Sequence, residues 1–311
     1  MSALTFNDVL IAHNRIKNYI KNTPLLSDEK LNKELGVEVF FKMENQQVTN
    51  SFKARGAFNA VLAYKEKHGK FPEKIVVQSS GNHAQAISHV CKKFGIKALI
   101  YMISKASPVK IQAARDLGAE VVLLEKRSDV NAKAEEKQKE GYFFVHPSAD
   151  ADVICGQGTA ALEAFEECGE VDAVFMPCGG GGLASGTFLA AQKLSPNAKV
   201  FACEPANAND VALSFRSGKI FAFEDTPNTI ADGTRTLATS EICFQFLKQF
   251  SGILEISEEE IISWQKKLSE ILQQKIEPTS ALAIAGLEQY LKKNPSAENR
   301  KFLVIISGGN I

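Results

Sequence analysis

The sequence has no surplus of one charge. Lysine plus arginine number 36 and aspartate plus glutamate also number 36, so no net field draws the chain to nucleic acid or to an anionic membrane. It lacks any C-x-x-C pair. The six cysteines (Cys91, Cys155, Cys168, Cys178, Cys203 and Cys243) lie far apart, which argues against a zinc ribbon, a dithiol redox motif or a disulfide framework. They read as small buried residues in a reducing compartment. The five histidines show neither H-x-x-x-H nor H-E-x-x-H spacing. There is no tandem repeat and no apolar run of membrane-spanning length. The opening stretch "MSALTFNDVLIAHNRIKNYI" alternates helically and has no signal-peptide core. The expectation is a cytoplasmic protein that binds neither nucleic acid nor membrane. With 311 residues, it is long enough for one large domain or two lobes.

What the chain does have is alternation. "KIVVQSS", "KALIYMI", "AEVVLLE" and "YFFVHP" read as buried strands separated by helical stretches over residues 83–94, 108–117 and 130–140. Continuous apolar strands between helices signal a parallel sheet covered on both faces. A second series follows: "VDAVFMPC", a glycine loop, a helix from Leu183, "AKVFACEP" and "KFLVIISGG", with "VEVFFKME" joining the same sheet. The predicted fold is therefore α/β, with two lobes built on parallel-type sheets flanked by helices. Residues 74–147 form the smaller lobe, inserted between 1–73 and 148–311 of the larger. In such sheets ligands bind beyond the carboxyl ends of the strands.

In "TNSFKARGAFNA", residues 49–60, a lysine opens a helix. Ala54, Ala57, Phe58, Val61 and Leu62 recur at helical spacing, predicting a helix over about 52–64 with Asn50 or Ser51 as its cap. The first-turn N–H groups disfavour a cation there and lower the ammonium pKa of Lys53. A lysine of lowered pKa attacks carbonyls to form imines, whereas an isolated one ordinarily holds its charge in water.

"CGGGGLASG", residues 178–186, follows a strand and opens a helix, an arrangement that directs N–H groups at an anion such as phosphate. Gly179, Gly181 and Ala184 also satisfy a G-x-G-x-x-A dinucleotide fingerprint, with Glu204 20 residues beyond Ala184. An NAD-dependent oxidoreductase is thus a rival reading, but it leaves the lysine helix, "SSGNH" and "SGGN" unexplained. "SSGNHAQA" crowds Ser79, Ser80, Asn82 and His83 at another helix N-terminus, a cradle for a carboxylate. Ser307 in "ISGGNI" offers a hydroxyl at a strand end.

Together, "NSFKARGA", "SSGNHAQA", "GGGGL", "ADGTRT", "EPTSA" and "SGGN" stand in the order of one family and span nearly the whole chain. The sequence resembles the fold-type II pyridoxal phosphate enzymes of the tryptophan synthase β-like fold, specifically the serine/threonine dehydratase and serine racemase family. That resemblance implies that Lys53 carries pyridoxal 5'-phosphate as an imine and moves the substrate proton. It gives the phosphate to Gly179, Gly180, Gly181, Gly182 and Leu183, the phenolic oxygen to Asn82 and the pyridine nitrogen to Ser307. Ser79, Ser80, Asn82 and His83 would surround the substrate carboxylate.

The implied reaction is loss of the β-hydroxyl from L-serine, L-threonine or 3-hydroxyaspartate, giving a 2-keto acid and ammonia. Ser80 would be a second proton carrier on the face opposite Lys53, which keeps racemisation open as a side activity or as the main one. In "CEPANAND", the resemblance implies a Mg²⁺ or Ca²⁺ site on Glu204, the Ala208 carbonyl and Asp210, a donor set of hard oxygens. One departure is that an arginine which animal serine racemases carry in the third helix of the small lobe falls here at about Asn131, with Arg127 nearby. A homodimer is expected. The chain stops just after "SGGNI", so no isoleucine-sensing regulatory domain is expected.

Overall fold

The computed structural model describes residues 4–79, 81–295 and 300–311; Ser80, singled out above, lies outside the described residues. Chain order begins α1 (Phe6–Ile16), β1 (Leu25–Leu26), α2 (Glu29–Leu35), β2 (Glu38–Met43) and α3 (Lys53–His68). A strand–helix alternation follows: β3 (Lys74–Gln78), α4 (Asn82–Phe94), β4 (Lys97–Ile103), α5 (Pro108–Asp116), β5 (Glu120–Leu124), α6 (Arg127–Lys139) and β6 (Phe143–Phe144). Then come α7 (Ala151–Cys168), β7 (Ala173–Pro177), α8 (Gly182–Leu194), β8 (Lys199–Pro205), α9 (Asp210–Ser217), α10 (Glu241–Leu247), β9 (Gly252–Ile256), α11 (Glu258–Leu272), α12 (Pro278–Lys293) and β10 (Lys301–Ile306).

Two sheets result. The smaller has the order β5-β4-β3-β6, and its pairs are all parallel. The larger has the order β1-β2-β10-β7-β8-β9, parallel except where β1 meets β2. The apolar runs explain this: Ile75, Val76 and Val77 are all fully buried, because helices cover both faces of their strand. The large sheet packs α7 and α8 on one face, and α11 and α12 on the other. Helix α3 places Ala54, Ala57, Phe58 and Val61 in the cluster beneath the small sheet.

Several local expectations change. Helix α3 runs on to His68, where Gly69 at φ 72° ends it. Neither Asn50 nor Ser51 caps it. The N-cap is Phe52, with no side-chain cap; Asn50 turns the chain at φ 52° and Ser51 bridges to Gly308. The polar helix begins at Arg127 rather than near residue 130, and "YFFVHP" contributes only Phe143–Phe144 to the sheet. Strands β1 and β9 join the large sheet unannounced.

Behind α3 lies a buried ionic cluster. Arg55 donates through Nε and Nη2 to the two Glu44 oxygens at 2.7 and 2.8 Å, and through Nη1 and Nη2 to the two Glu163 oxygens at 2.7 and 2.7 Å. Lys42 Nζ donates to Glu163 Oε2 at 2.7 Å and to the Thr23 carbonyl at 2.6 Å. This ties the first turn of α3 to the end of β2 and to α7. Helices α7 and α8 in turn meet backbone to backbone, since a Cβ on Gly158 would lie 2.7 Å from the Gly186 carbonyl oxygen.

Candidate active site

The carboxyl ends of β3, β7 and β10, together with the first turn of α3, converge on one cleft. Lys53 is lodged there with Phe52, Ser148, the glycine run, Thr234 and Thr279 as neighbours. Its Nζ donates to the Pro147 carbonyl at 2.9 Å. No carboxylate pairs with it at salt-bridge distance among the described residues, and burial lowers its pKa to about 8, against a smaller opposing pull from Cys243 and Glu277. The uncapped start of α3 adds its dipole to that pressure.

Gly179 to Gly182 turn from β7 into α8, with Gly181 in the left-handed region at φ 90°. A Cβ at Gly180 would meet Ser148 Oγ at 2.3 Å and one at Gly181 would meet Cys243 Cβ at 2.8 Å. The loop is thus a cup whose backbone N–H groups stand at the positive end of α8, where an anion is favoured. The dinucleotide reading fails at Glu204. Its oxygens accept from the N–H groups of Val211 and Ala212 at 3.3 and 2.8 Å, within a fully buried site, so the carboxylate is not presented to a ribose.

On the opposite wall, Asn82 opens α4 and its amide is held at both ends. Nδ2 donates to both Glu277 oxygens at 3.0 and 3.0 Å, and Oδ1 accepts from Asn310 Nδ2 at 2.9 Å. Glu277 is buried, and desolvation pushes its carboxyl up to about 7, opposed by the Asn82 bond and the Lys110 charge. Lys110 of α5 pairs with Asp232 across the cleft mouth. Ser307 Oγ lies 3.1 Å from Ser280 Oγ, which also bridges the N–H and carbonyl of Gly308, each at 2.9 Å. The Ser307 carbonyl accepts from Phe52 N–H at 3.0 Å, fastening the "SGGN" strand end to the lysine turn.

Ser79 Oγ accepts from Gly81 N–H at 3.3 Å. His83 places Nε2 at 3.0 Å from the Val145 carbonyl, so its proton sits on Nε2, and its buried Nδ1 has no partner. Burial, then the Lys53 charge, lower its pKa to about 3. His83 is therefore neutral and presents a lone pair; at the start of α4 the N–H groups of Ala84 and Gln85 donate to the Gly81 carbonyl at 3.1 and 3.4 Å, which leaves those of Asn82 and His83 without an acceptor within the helix, where an anion is favoured. His146 is a second neutral imidazole: its Nδ1 accepts from the N–H groups of Ser148 and Ala149 at 3.1 and 2.7 Å. Burial, followed by the Lys53 and Arg127 charges, brings it down to about 4.

Glu204, Ala208 and Asp210 form a separate buried pocket after β8. Asp210 Oδ1 accepts from Thr236 Oγ1 at 3.3 Å, while its Oδ2 is buried without a partner. Burial raises both carboxyls, Asp210 to about 7, and the Asp210 charge pushes Glu204 further. Among the described residues no group of three or more His, Cys, Asp or Glu side chains could hold a metal.

Sequence reasoning passed over Glu277, Ser148, Thr234 and Asn310. Glu277 and Thr234 stand inside "EPTSA" and "ADGTRT", so the signal was present as a motif, without a role for each residue.

A glycine turn at a helix N-terminus beside a half-buried lysine of lowered pKa suits one class, that of enzymes holding a phosphorylated aldehyde cofactor. Comparison bears this out. The family model "Pyridoxal-phosphate dependent enzyme" matches residues 16–308, and the chain belongs to that family. It is 39% identical over 310 residues to the L-threo-3-hydroxyaspartate ammonia-lyase of Saccharomyces cerevisiae, covering 99% of this chain and 93% of that protein. It is 40% identical over 310 residues to the serine racemase of Schizosaccharomyces pombe, with 99% and 94% covered. The crystal structure of Dictyostelium discoideum serine racemase superposes with a TM-score of 0.89 at 37% identity, covering 99% of each chain. The fold is that of the fold-type II pyridoxal phosphate enzymes. Among the described residues no helix is long and apolar enough to cross a membrane.

Proposed function

We propose that this protein is a dehydratase of β-hydroxy amino acids, taking L-serine, L-threonine or 3-hydroxyaspartate to the 2-keto acid and ammonia, with racemisation as a lesser activity. The observation that carries it is Lys53, a half-buried amine with no paired carboxylate, which faces a glycine cup shaped for phosphate. Pyridoxal phosphate bound there supplies an electron sink that acidifies the substrate's α-proton. Lys53 Nζ holds the cofactor, then accepts that proton and stays close to the departing hydroxyl. Gly179 to Leu183 would hold the phosphate, Asn82 the phenolic oxygen, and Ser307 the ring nitrogen, through a hydroxyl that can share a hydrogen bond. The first turn of α4, with Ser79, Ser80 and Asn82, would receive the substrate carboxylate, His83 contributing its backbone N–H and not its neutral ring. Residues 74–147 act as the smaller lobe, with α3 as the wall it shares with 1–73 and 148–311.

The test is direct. Purified protein should show an imine absorbance that borohydride bleaches, and keto acid and enantiomer should be assayed together for each of the three amino acids. Protein without that absorbance, or without keto acid from any of them, refutes the reading.

Racemisation as the main activity is the second reading, supported by the similarity to serine racemases. A proton must then arrive from the face opposite Lys53, and Ser80 is the residue proposed for it. Ser80→Ala should suppress racemisation far more than elimination; equal loss of both removes Ser80 from that role.

A divalent cation fits at Glu204, Asp210 and the Ala208 carbonyl, because Asp210 Oδ2 is a buried oxygen without a partner beside a second buried carboxylate. Six thiols with no disulfide agree with a reducing cytoplasm. A homodimer is the proposed assembly, to be measured by light scattering.

A further inference from the structure

The glycine turn and the Glu204–Asp210 pocket leave from adjacent strand ends. Pro177 pairs with Cys203 in the parallel β7–β8 ladder, and the Cys178 N–H donates to the Cys203 carbonyl at 2.9 Å. The next residues are Gly179 on one segment and Glu204 on the other. Residues 234–239 lie against both. A Cβ on Gly179 would stand 3.0 Å from Thr234 Cα and 3.5 Å from Thr236 Cγ2. Thr236 thus turns its methyl to the glycines, and it gives its hydroxyl to Asp210 Oδ1 at 3.3 Å. Thr239 also faces both ways: its N–H bonds the Asp210 carboxylate, and its Oγ1 donates to the Gly180 carbonyl at 3.3 Å. Because that peptide is planar and trans, a pull on the Gly180 carbonyl turns the Gly181 N–H the opposite way.

Both hydroxyl contacts are long for O–H···O bonds and have room to shorten. Asp210 is fully buried, and its Oδ2 has no partner beside a second buried carboxylate, Glu204. A cation shared by the two carboxylates removes their repulsion and fixes Asp210 where the threonines reach it. We infer that residues 234–239 couple the two sites, with Thr236 as the positioning residue: a divalent cation at Glu204 and Asp210 sets the Gly180–Gly181 peptide and so tightens the hold on a phosphate. This rests on the proposed cation and phosphate sites and adds a link between them. Such a link is reciprocal, so the phosphate tightens the cation by the same factor.

The test needs no turnover. Pyridoxine 5'-phosphate carries the phosphate and lacks the aldehyde, so it binds the full-length apo protein without forming an imine. Calorimetry reads its affinity in Mg²⁺ and in chelator. Wild type should bind it about tenfold more tightly in saturating Mg²⁺, and Mg²⁺ titrated with and without the analogue should show the same factor. Thr236→Val keeps the packed methyl and loses the hydroxyl, and should bring the factor to about one. Thr236→Ser keeps the hydroxyl and should preserve most of it. Mg²⁺ that binds wild type without changing the affinity for the analogue overturns the inference and leaves the cation site standing. A full factor in Thr236→Val overturns it as well. Wild type that binds neither Mg²⁺ nor Ca²⁺ refutes the cation site, and one that does not bind the analogue refutes the phosphate site; either takes the inference with it.

Discussion

Lys53 and Arg55 stand two residues apart at the start of α3, and burial treats them in opposite ways. Lys53 meets a carbonyl and no paired carboxylate, so desolvation prevails and brings its amine within reach of neutrality at physiological pH. Burial works against the Arg55 charge too, but Glu44 and Glu163 outweigh it and hold the guanidinium pKa above its ordinary value. The lesson is that burial alone does not mark a working group. What marks it is burial without compensation, and the compensated neighbour keeps the uncompensated one in place.

The sharpest test of this contrast is Lys53→Ala, which should abolish the imine absorbance and all keto acid formation while the apo protein still folds, with unchanged circular dichroism. Next in size is Arg55→Ala. It leaves Glu44 in the core without a charged partner and Glu163 with Lys42, and should cost about 3–5 kcal/mol in denaturant unfolding; a loss below about 1 kcal/mol would mean that the cluster is not what fixes α3. A third test uses pH. With an amine pKa near 8, the rate at which apo protein forms its imine with added cofactor should rise roughly 25-fold from pH 6.5 to 8.5, read as growth of absorbance. The same lowered pKa means that the unfolded chain holds the extra proton between about pH 8 and its ordinary value of 10.5. Apo stability from this group should therefore rise with pH through that window. The smallest effect is at the carboxylate pair after β8. A chelator should lower the melting temperature by a few degrees, on the order of 1–3 kcal/mol of lost binding, with Mg²⁺ or Ca²⁺ restoring it. Asp210→Ala should remove that response.

Much of this was legible in the sequence. The apolar runs gave both sheets because strands buried on two faces leave no polar alternation to misread. The glycine turn ahead of α8 was legible because four consecutive glycines between a strand and a helix mark a close turn. The Arg55 cluster was not legible. Glu44, Glu163 and Lys42 come from distant parts of the chain, and a charged residue in a helix ordinarily reads as solvated. The caps expected at Asn50 and Ser51 failed because both residues are drawn into contacts with the distant "SGGN" end. His83 looked like a carboxylate donor until its one proton was found committed to Val145.

The meeting of Gly158 and Gly186 carries a last consequence. Because α7 and α8 are separated by no more than the thickness of their own backbones, the spacing has no adjustable part, and the phosphate cup at the head of α8 is placed by rigid abutment. A methyl group added at Gly158 would touch neither cofactor nor substrate. It would nevertheless act as a shim, lifting the cup away from Lys53 and detuning the site from a distance.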